Sequence, residues 1–221
     1  MIYTLGMRDS DFFDRKYVEA GHIWGDEPSE VAKIGADKLR GIRGLELLDV
    51  GCGYGRDALY LSKILDCEVK GVDTSAIGLA LGRDFLDGCP SVELLKQDFL
   101  QVTGQYDAAI VANVYHLLKP EQRNPFVTKL WDVLRDEGHF FLSAHSVNDK
   151  EEYGKGAPVL GEQNSYVHEV YAHFYTKVEL EQDFARFKID IHEIEYVEKK
   201  VGGDHHHTAW IVVGQKRPPK I

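Results

Sequence analysis

The apolar run Leu45 to Val50 stops at three alternating glycines, Gly51-Cys52-Gly53-Tyr54-Gly55, after which apolar residues recur at helical spacing at Ala58, Leu59, Leu61, Ile64 and Leu65. Strand, glycine turn and helix in that order constrain the chain strongly. A buried strand followed by a helix must return across a sheet to find its next neighbour. The alternation continues: Glu68–Val72, Val92–Leu95, Asp107–Val114 and His139–Ala144 read as strands, and Ser75–Leu86 and Pro120–Leu134 as helices. Asp107 to Val114 is apolar nearly throughout, as a strand covered on both faces requires. The expected fold class is α/β, with a doubly wound, mostly parallel sheet.

The flanks break the alternation. Asp9–Ala20 predicts a short helix with Phe12, Phe13, Tyr17 and Val18 on one side, and Pro28-Ser29 opens a second helix to about Leu39. Between them lies a glycine-bounded aromatic turn, Gly21-His22-Ile23-Trp24-Gly25. Ser146 to Gln163 is polar, glycine-rich and too long for an ordinary connection. Thr176-Lys177-Val178-Glu179 has capping-box spacing and predicts a helix to about Phe187. Ile189–Glu198 and Thr208–Gly214 then read as a closing hairpin, with His205-His206-His207 in its connection, so at least one strand runs antiparallel.

Composition narrows the partners. The 221 residues carry a formal net charge of -10, and only Lys216-Arg217-Pro218-Pro219-Lys220 is locally basic. Nucleic acid and anionic membrane are therefore disfavoured, and a small or neutral substrate is expected. No apolar run is long enough to cross a bilayer, and the first residues lack the order of a signal peptide. Three cysteines at unrelated spacings make no disulfide framework and no zinc ribbon, so a reducing cytoplasm is expected and no metal.

Acids mark the strand ends. Asp49, just before the glycines, would repel a pyrophosphate but suits a ligand with an amino group and a sulfonium. Asp73, in Gly71-Val72-Asp73-Thr74-Ser75, can accept both hydroxyls of a ribose. Gln97-Asp98-Phe99 supplies a polar pair for an adenine amino group and a ring to pack on the base. All lie at the carboxyl ends of neighbouring strands, where open α/β sheets bind ligands.

In these segments the sequence resembles the class I S-adenosylmethionine-dependent methyltransferases. Leu48 to Gly55 looks like their first motif, Val72-Asp73-Thr74-Ser75 the second, Gln97-Asp98-Phe99 the third and Ala109 to Asn113 the fourth. The resemblance implies a seven-stranded sheet of order 3-2-1-4-5-7-6 with strand 7 antiparallel, and S-adenosylmethionine as cofactor. It places Asp49 and Gly51 at the methionine end, counts Cys52, Gly53 and Gly55 among the cofactor-binding residues, and puts Asp73 on the ribose, Thr74 beside the adenine, and Asp98 and Phe99 on the adenine ring. Asn113 would orient the amino-acid moiety through its backbone. Thr74 departs from the larger aliphatic residue common there. A narrower likeness, to the tellurite-resistance and thiopurine small-molecule methyltransferases, rests on Phe12-Phe13-Asp14-x-x-Tyr17, Ile23-Trp24-Gly25, Tyr153 to Gly156 and His173 to Thr176. It places Trp24 beside the methionine portion.

A single domain is expected over 1–221: a helical cover (1–44), a cofactor-binding core (45–145), an insert or lid (146–175), and a closing helix and hairpin (176–221). Tyr115 and His116 come directly after the fourth strand, at the mouth of the site. His116 suits a general base for a hydroxyl or thiol acceptor, with a packing histidine as the alternative. His205 and His207 share a strand face and can reach the acceptor, or else belong to a polar loop. Tyr153 and Lys155 sit in the insert, either over the acceptor or in solvent. Two other functions fit parts of the pattern: a nicotinamide-dependent oxidoreductase, and a binding module that holds S-adenosylmethionine without methyl transfer.

Overall fold

The computed structural model describes residues 9–200 and 203–218. Its centre is a seven-stranded sheet built from β1 (Glu46–Val50), β2 (Glu68–Asp73), β3 (Val92–Lys96), β4 (Tyr106–Val111), β5 (Leu134–His145), β9 (Lys188–Lys200) and β10 (Gly203–Gln215). The order is β3-β2-β1-β4-β5-β10-β9. Strands β1 to β5 pair in parallel, whereas β10 is antiparallel to both β5 and β9. With β9 as sixth and β10 as seventh strand of this sheet, the order is the expected 3-2-1-4-5-7-6.

Successive residues of each strand feed opposite cores. Leu47, Ala108, Ile110 and Phe141 pack with α2 (Glu30–Leu39) and α3 (Arg56–Leu65) on one face. Leu48, Ala109, Val111, Phe140 and Leu142 pack with α5 (Pro120–Val133) and α6 (Lys177–Asp183) on the other. This period-2 division is what a strand covered on both sides demands. Helix α1 (Asp9–Ala20) lies against α4 (Ala76–Phe85) rather than the sheet. It is pinned there by Asp14, whose Oδ1 accepts from Ser75 Oγ at 2.5 Å and from the Ile77 N–H at 3.2 Å. Tyr17 is buried on that side, while Val18 turns to solvent at 71% exposure, against the expectation that it shares the apolar face.

Several boundaries depart from the sequence expectations: β5 begins at Leu134 rather than His139, α6 ends at Asp183 rather than near Phe187, and three further differences shape the site. The fourth strand stops at Val111, because Asn113 takes a left-handed φ of 58° that ends extended backbone. The hairpin strands run much longer than their apolar cores, so His205 to His207 lie within β10 and not in a connecting loop. The insert is partly ordered as a small antiparallel sheet, β6 (Ala157–Pro158), β7 (Ser165–Val167) and β8 (Tyr171–His173). A polar network ties that sheet down. Arg123 Nη2 on α5 donates to Glu162 Oε1 at 2.7 Å and to Tyr171 Oη at 2.8 Å, and buried His173 lies between Ser165 and Glu179. Removing Arg123 leaves the Glu162 carboxylate with only neutral donors such as the Tyr171 hydroxyl, so Arg123→Met is expected to cost about 1–3 kcal/mol. Urea denaturation would measure the loss, and limited proteolysis would place it in residues 157–173.

Candidate active site: two joined chambers

The carboxyl ends of β1 to β4 border a cavity of about 320 Å³ lined by Asp49, Gly51, Cys52, Gly53, Asp73, Thr74, Asp98, Phe99 and Asn113, with Trp24 and Tyr17 closing it from the N-terminal segment. Thus nine of the expected cofactor contacts from the sheet edge, and Trp24, meet in one place. Gly55 does not line it. That residue caps α3 and faces Leu94 and Leu86, so its place is in helix–sheet packing.

The glycines are required by geometry. Gly51 has φ +71°, and a Cβ there would lie 2.4 Å from Val114 Cγ2. Gly53 has φ +54°, and its Cβ would lie 2.5 Å from Tyr17 Oη. Both conformations disfavour other residues, and both side-chain volumes are already taken. The Gly53 N–H donates to Asp73 Oδ2 at 2.8 Å, and the Ser75 N–H to Asp73 Oδ1 at 2.7 Å, which fixes that carboxylate at the cavity wall. Asp98 Oδ1 caps the turn after β3 by accepting from the Leu100 N–H at 2.8 Å, while the residue remains exposed at the cavity rim. Phe99 is buried against Phe126, ring centroids 4.6 Å apart.

Asp49 is the electrostatic anomaly. It is buried to 2% exposure, and its Oδ2 has no hydrogen-bond partner among the described residues. Burial raises its carboxyl well above the ordinary range, and the nearby carboxylates of Asp57 and Asp73 add to the rise. A cationic ligand group beside it would relieve both effects. A buried carboxyl oxygen without a donor, a glycine cradle and the Asp73 carboxylate fixed at the cavity wall therefore fit an aminoacyl nucleoside such as S-adenosylmethionine. The Trp24 loop is held over this site by contacts that sequence reasoning missed: Tyr54 Oη donates to the Gly25 carbonyl, Arg56 to that of Trp24, and the His22 ring stacks on Tyr54 at 4.5 Å.

A second cavity, of about 460 Å³, adjoins the first. Phe13, Trp24, Asn113 and Leu117 line both. Its walls come from α1, the insert and the hairpin, and five imidazoles reach it: His116, His145, His168, His205 and His207. His116, His205 and Lys155 all line this cavity. Tyr153 is outside, packed on Tyr166 and Phe174. Tyr115 is a correction. The left-handed turn at Asn113 sends it inward, fully buried, with its Oη donating to Asp183 Oδ2 at 2.8 Å. It supports the core between β4 and α6 and touches neither chamber. Tyr115→Phe is expected to cost about 1–3 kcal/mol in chemical denaturation and to leave nucleoside affinity unchanged.

The imidazoles are neighbours because of strand register. Antiparallel pairing sets His145, at the end of β5, opposite Ala209 of β10, and His207 opposite Tyr196 of β9. Directly opposed residues share a face, so His145, His205 and His207 all point the same way. His116 meets His145 with ring centroids 3.8 Å apart. Asp149 underlies the group, its Oδ2 3.4 Å from His207 Nδ1. Burial alone would raise the Asp149 carboxyl, but bonds from His207 and from the N–H groups of Glu152 and Thr208 draw it down to about 2. Neither His145 nor Asp149 stands out in the sequence. A signal for His145 exists, because it ends an apolar strand at the same sheet edge as Asp49 and Asp73.

Residues 47–138 match the profile of a family described as a methyltransferase domain. Cyclopropane-fatty-acyl-phospholipid synthase of Escherichia coli K12 is 28% identical over 119 residues, which is 54% of this chain but only 30% of that protein. Among solved structures, a SAM-dependent methyltransferase from Methanosarcina mazei superposes with a TM-score of 0.69 at 20% identity, covering 80% of this chain and 94% of that one. The 1,6-didemethyltoxoflavin-N1-methyltransferase of Burkholderia thailandensis, solved with 1,6-didemethyltoxoflavin and S-adenosylhomocysteine bound, gives 0.63 at 16% identity, covering 99% and 94%. At these identities the structural likeness is one of fold. Among the described residues no helix is long and apolar enough to cross a membrane.

Proposed function

We propose that the chain, whose residues 47–138 match a methyltransferase-domain profile, is a class I S-adenosylmethionine-dependent methyltransferase that methylates a small molecule held in the imidazole-lined chamber. The observation that carries this reading is the shared wall of Phe13, Trp24, Asn113 and Leu117, which joins the cofactor cleft to a second, separately built cavity. Bound S-adenosylmethionine supplies a methyl group already activated by its sulfonium, so the protein's work is alignment and exclusion of water. Asp49 would take the ammonium, Asp73 the ribose hydroxyls, and Thr74, Asp98 and Phe99 would border the adenine. Trp24 and Asn113, at the junction, would orient the reacting end. His116 and His205 stand in the acceptor chamber, where either can receive the proton of a hydroxyl, thiol or amine. The chamber's size suits a small organic or metalloid acceptor, of the broad kind named for the Burkholderia enzyme and for the tellurite-resistance and thiopurine group. A nicotinamide cofactor fits poorly, since its pyrophosphate would face the buried carboxyl of Asp49.

The experiment is calorimetric titration with S-adenosylhomocysteine, then incubation of labelled S-adenosylmethionine with thiols, hydroxyls, amines and metalloid anions. Saturable binding and labelled product are expected. Binding without product from any acceptor class would leave a cofactor-binding module, and saturable NADH binding in place of S-adenosylhomocysteine would reverse the assignment. Within a productive reaction, His116→Gln is expected to lower kcat about 10²-fold for a protic acceptor while leaving cofactor Kd unchanged, read by steady-state kinetics.

A further inference from the structure

We propose that His145, Asp149 and His207 form a site for a divalent transition-metal ion on the inner wall of the acceptor chamber. One ligand atom from each of the three residues lies within 4.8 Å of the others. Ligands about 2.1 Å from a metal in tetrahedral arrangement lie about 3.4 Å apart. The Asp149 Oδ2 to His207 Nδ1 separation is already 3.4 Å, and no pair in the group exceeds 4.8 Å. The donor set is two imidazoles and one carboxylate, which suits zinc or iron(II) rather than magnesium or calcium.

The scaffold is stiff where a metal site must be. His145 and His207 stand on two paired strands in the register that puts both rings on one face. Asp149 Oδ1 accepts from the N–H groups of Glu151 and Glu152, at 3.0 and 2.9 Å, and its Oδ2 from the Thr208 N–H at 3.1 Å. Such backbone bonds hold a ligating carboxylate in place. Both histidines border the cavity while Asp149 is buried beneath them, so the protein ligands gather on one side. Positions on the other side face the chamber, as in catalytic rather than structural sites.

The consequence for substrate rests on the reading of this chamber as the acceptor site; the metal site itself does not. An acceptor thiol or hydroxyl ligating the ion would be held as its anion, its S–H or O–H proton passing to an imidazole nitrogen of His116. The site thereby selects acceptors with a ligating sulfur or oxygen over amines.

The test uses the full chain, stripped with chelator and titrated with Zn²⁺ by calorimetry and with Co²⁺ by visible absorption. One equivalent per chain is expected, with Co²⁺ d–d bands of a low-coordinate nitrogen–oxygen site. His145→Ala and His207→Ala should each weaken binding by about 100-fold or more. His206→Ala, at an exposed residue next to His207 in the chain, should not. S-Adenosylhomocysteine titration of the same proteins keeps the arms separate: retained affinity shows that the variants fold. Absence of metal binding, or binding indifferent to His145→Ala and His207→Ala, would overturn the proposal and leave Asp149–His207 as a hydrogen-bonded pair. Loss of nucleoside binding in the unaltered protein would instead overturn the methyltransferase reading and leave the metal site standing.

Discussion

Asp49→Asn is expected to raise the Kd for S-adenosylhomocysteine by about 10- to 100-fold while raising the melting temperature of the ligand-free protein. The two effects have one cause. Asp49 holds a carboxyl oxygen in the core with no donor, beside two other acids, and its ionised form is disfavoured there. An amide of the same shape removes the charge and its repulsion, and each 1 kcal/mol so recovered is worth about 2–4 °C in a chain of this size. The same exchange removes the anion that an ammonium group needs, and a hydrogen bond to a charged group is worth about 1.5–3 kcal/mol. Calorimetry and thermal melts on the two proteins check both signs. A ligand-free variant less stable than the parent, or unchanged affinity, would mean that Asp49 serves the fold alone.

Gly51→Ala should be the more damaging change. Its φ of +71° costs an L-residue about 1–2 kcal/mol, and the new methyl would collide with Val114 at 2.4 Å. Overpacking adds about 1–3 kcal/mol, giving a loss of about 2–5 kcal/mol in urea denaturation. Val114 borders the cofactor cavity, so relief by moving it closes the cleft, and nucleoside binding should fall below detection even where the fold survives. Gly55→Ala, outside the cavity, should destabilise without that loss of affinity.

The cofactor half was legible in the sequence because its signals are local. Glycines interrupt an apolar run, and each of the first three strands carries an acid at or just past its carboxyl end. The position of Asp49, Asp73 and Asp98 along one sheet edge comes from parallel pairing, which puts all the carboxyl ends on the same side. The acceptor half was much less legible. Tyr115 and His116 are adjacent, and which one faces the cavity depends on a single left-handed residue, Asn113. The hairpin looked short because one face of β9 and β10 is solvated, which hides strand periodicity behind charged residues. His145 and His207 meet only through the β5–β10 register, and no spacing in the chain announces a register.

Chamber ownership is divided along the chain. The nucleoside side is made by turns that the sheet cannot alter without losing its own connections. The other side is assembled from α1, the segment between β5 and α6, and the hairpin tips, which meet one another through contacts such as Lys16 Nζ to Glu169 Oε1 at 2.9 Å. These pieces can be lengthened, exchanged or re-lined while the donor side stays intact. Substrate range in this protein is therefore an evolvable property carried by peripheral segments, and redesign toward a new acceptor can begin at α1 and residues 146–175 alone.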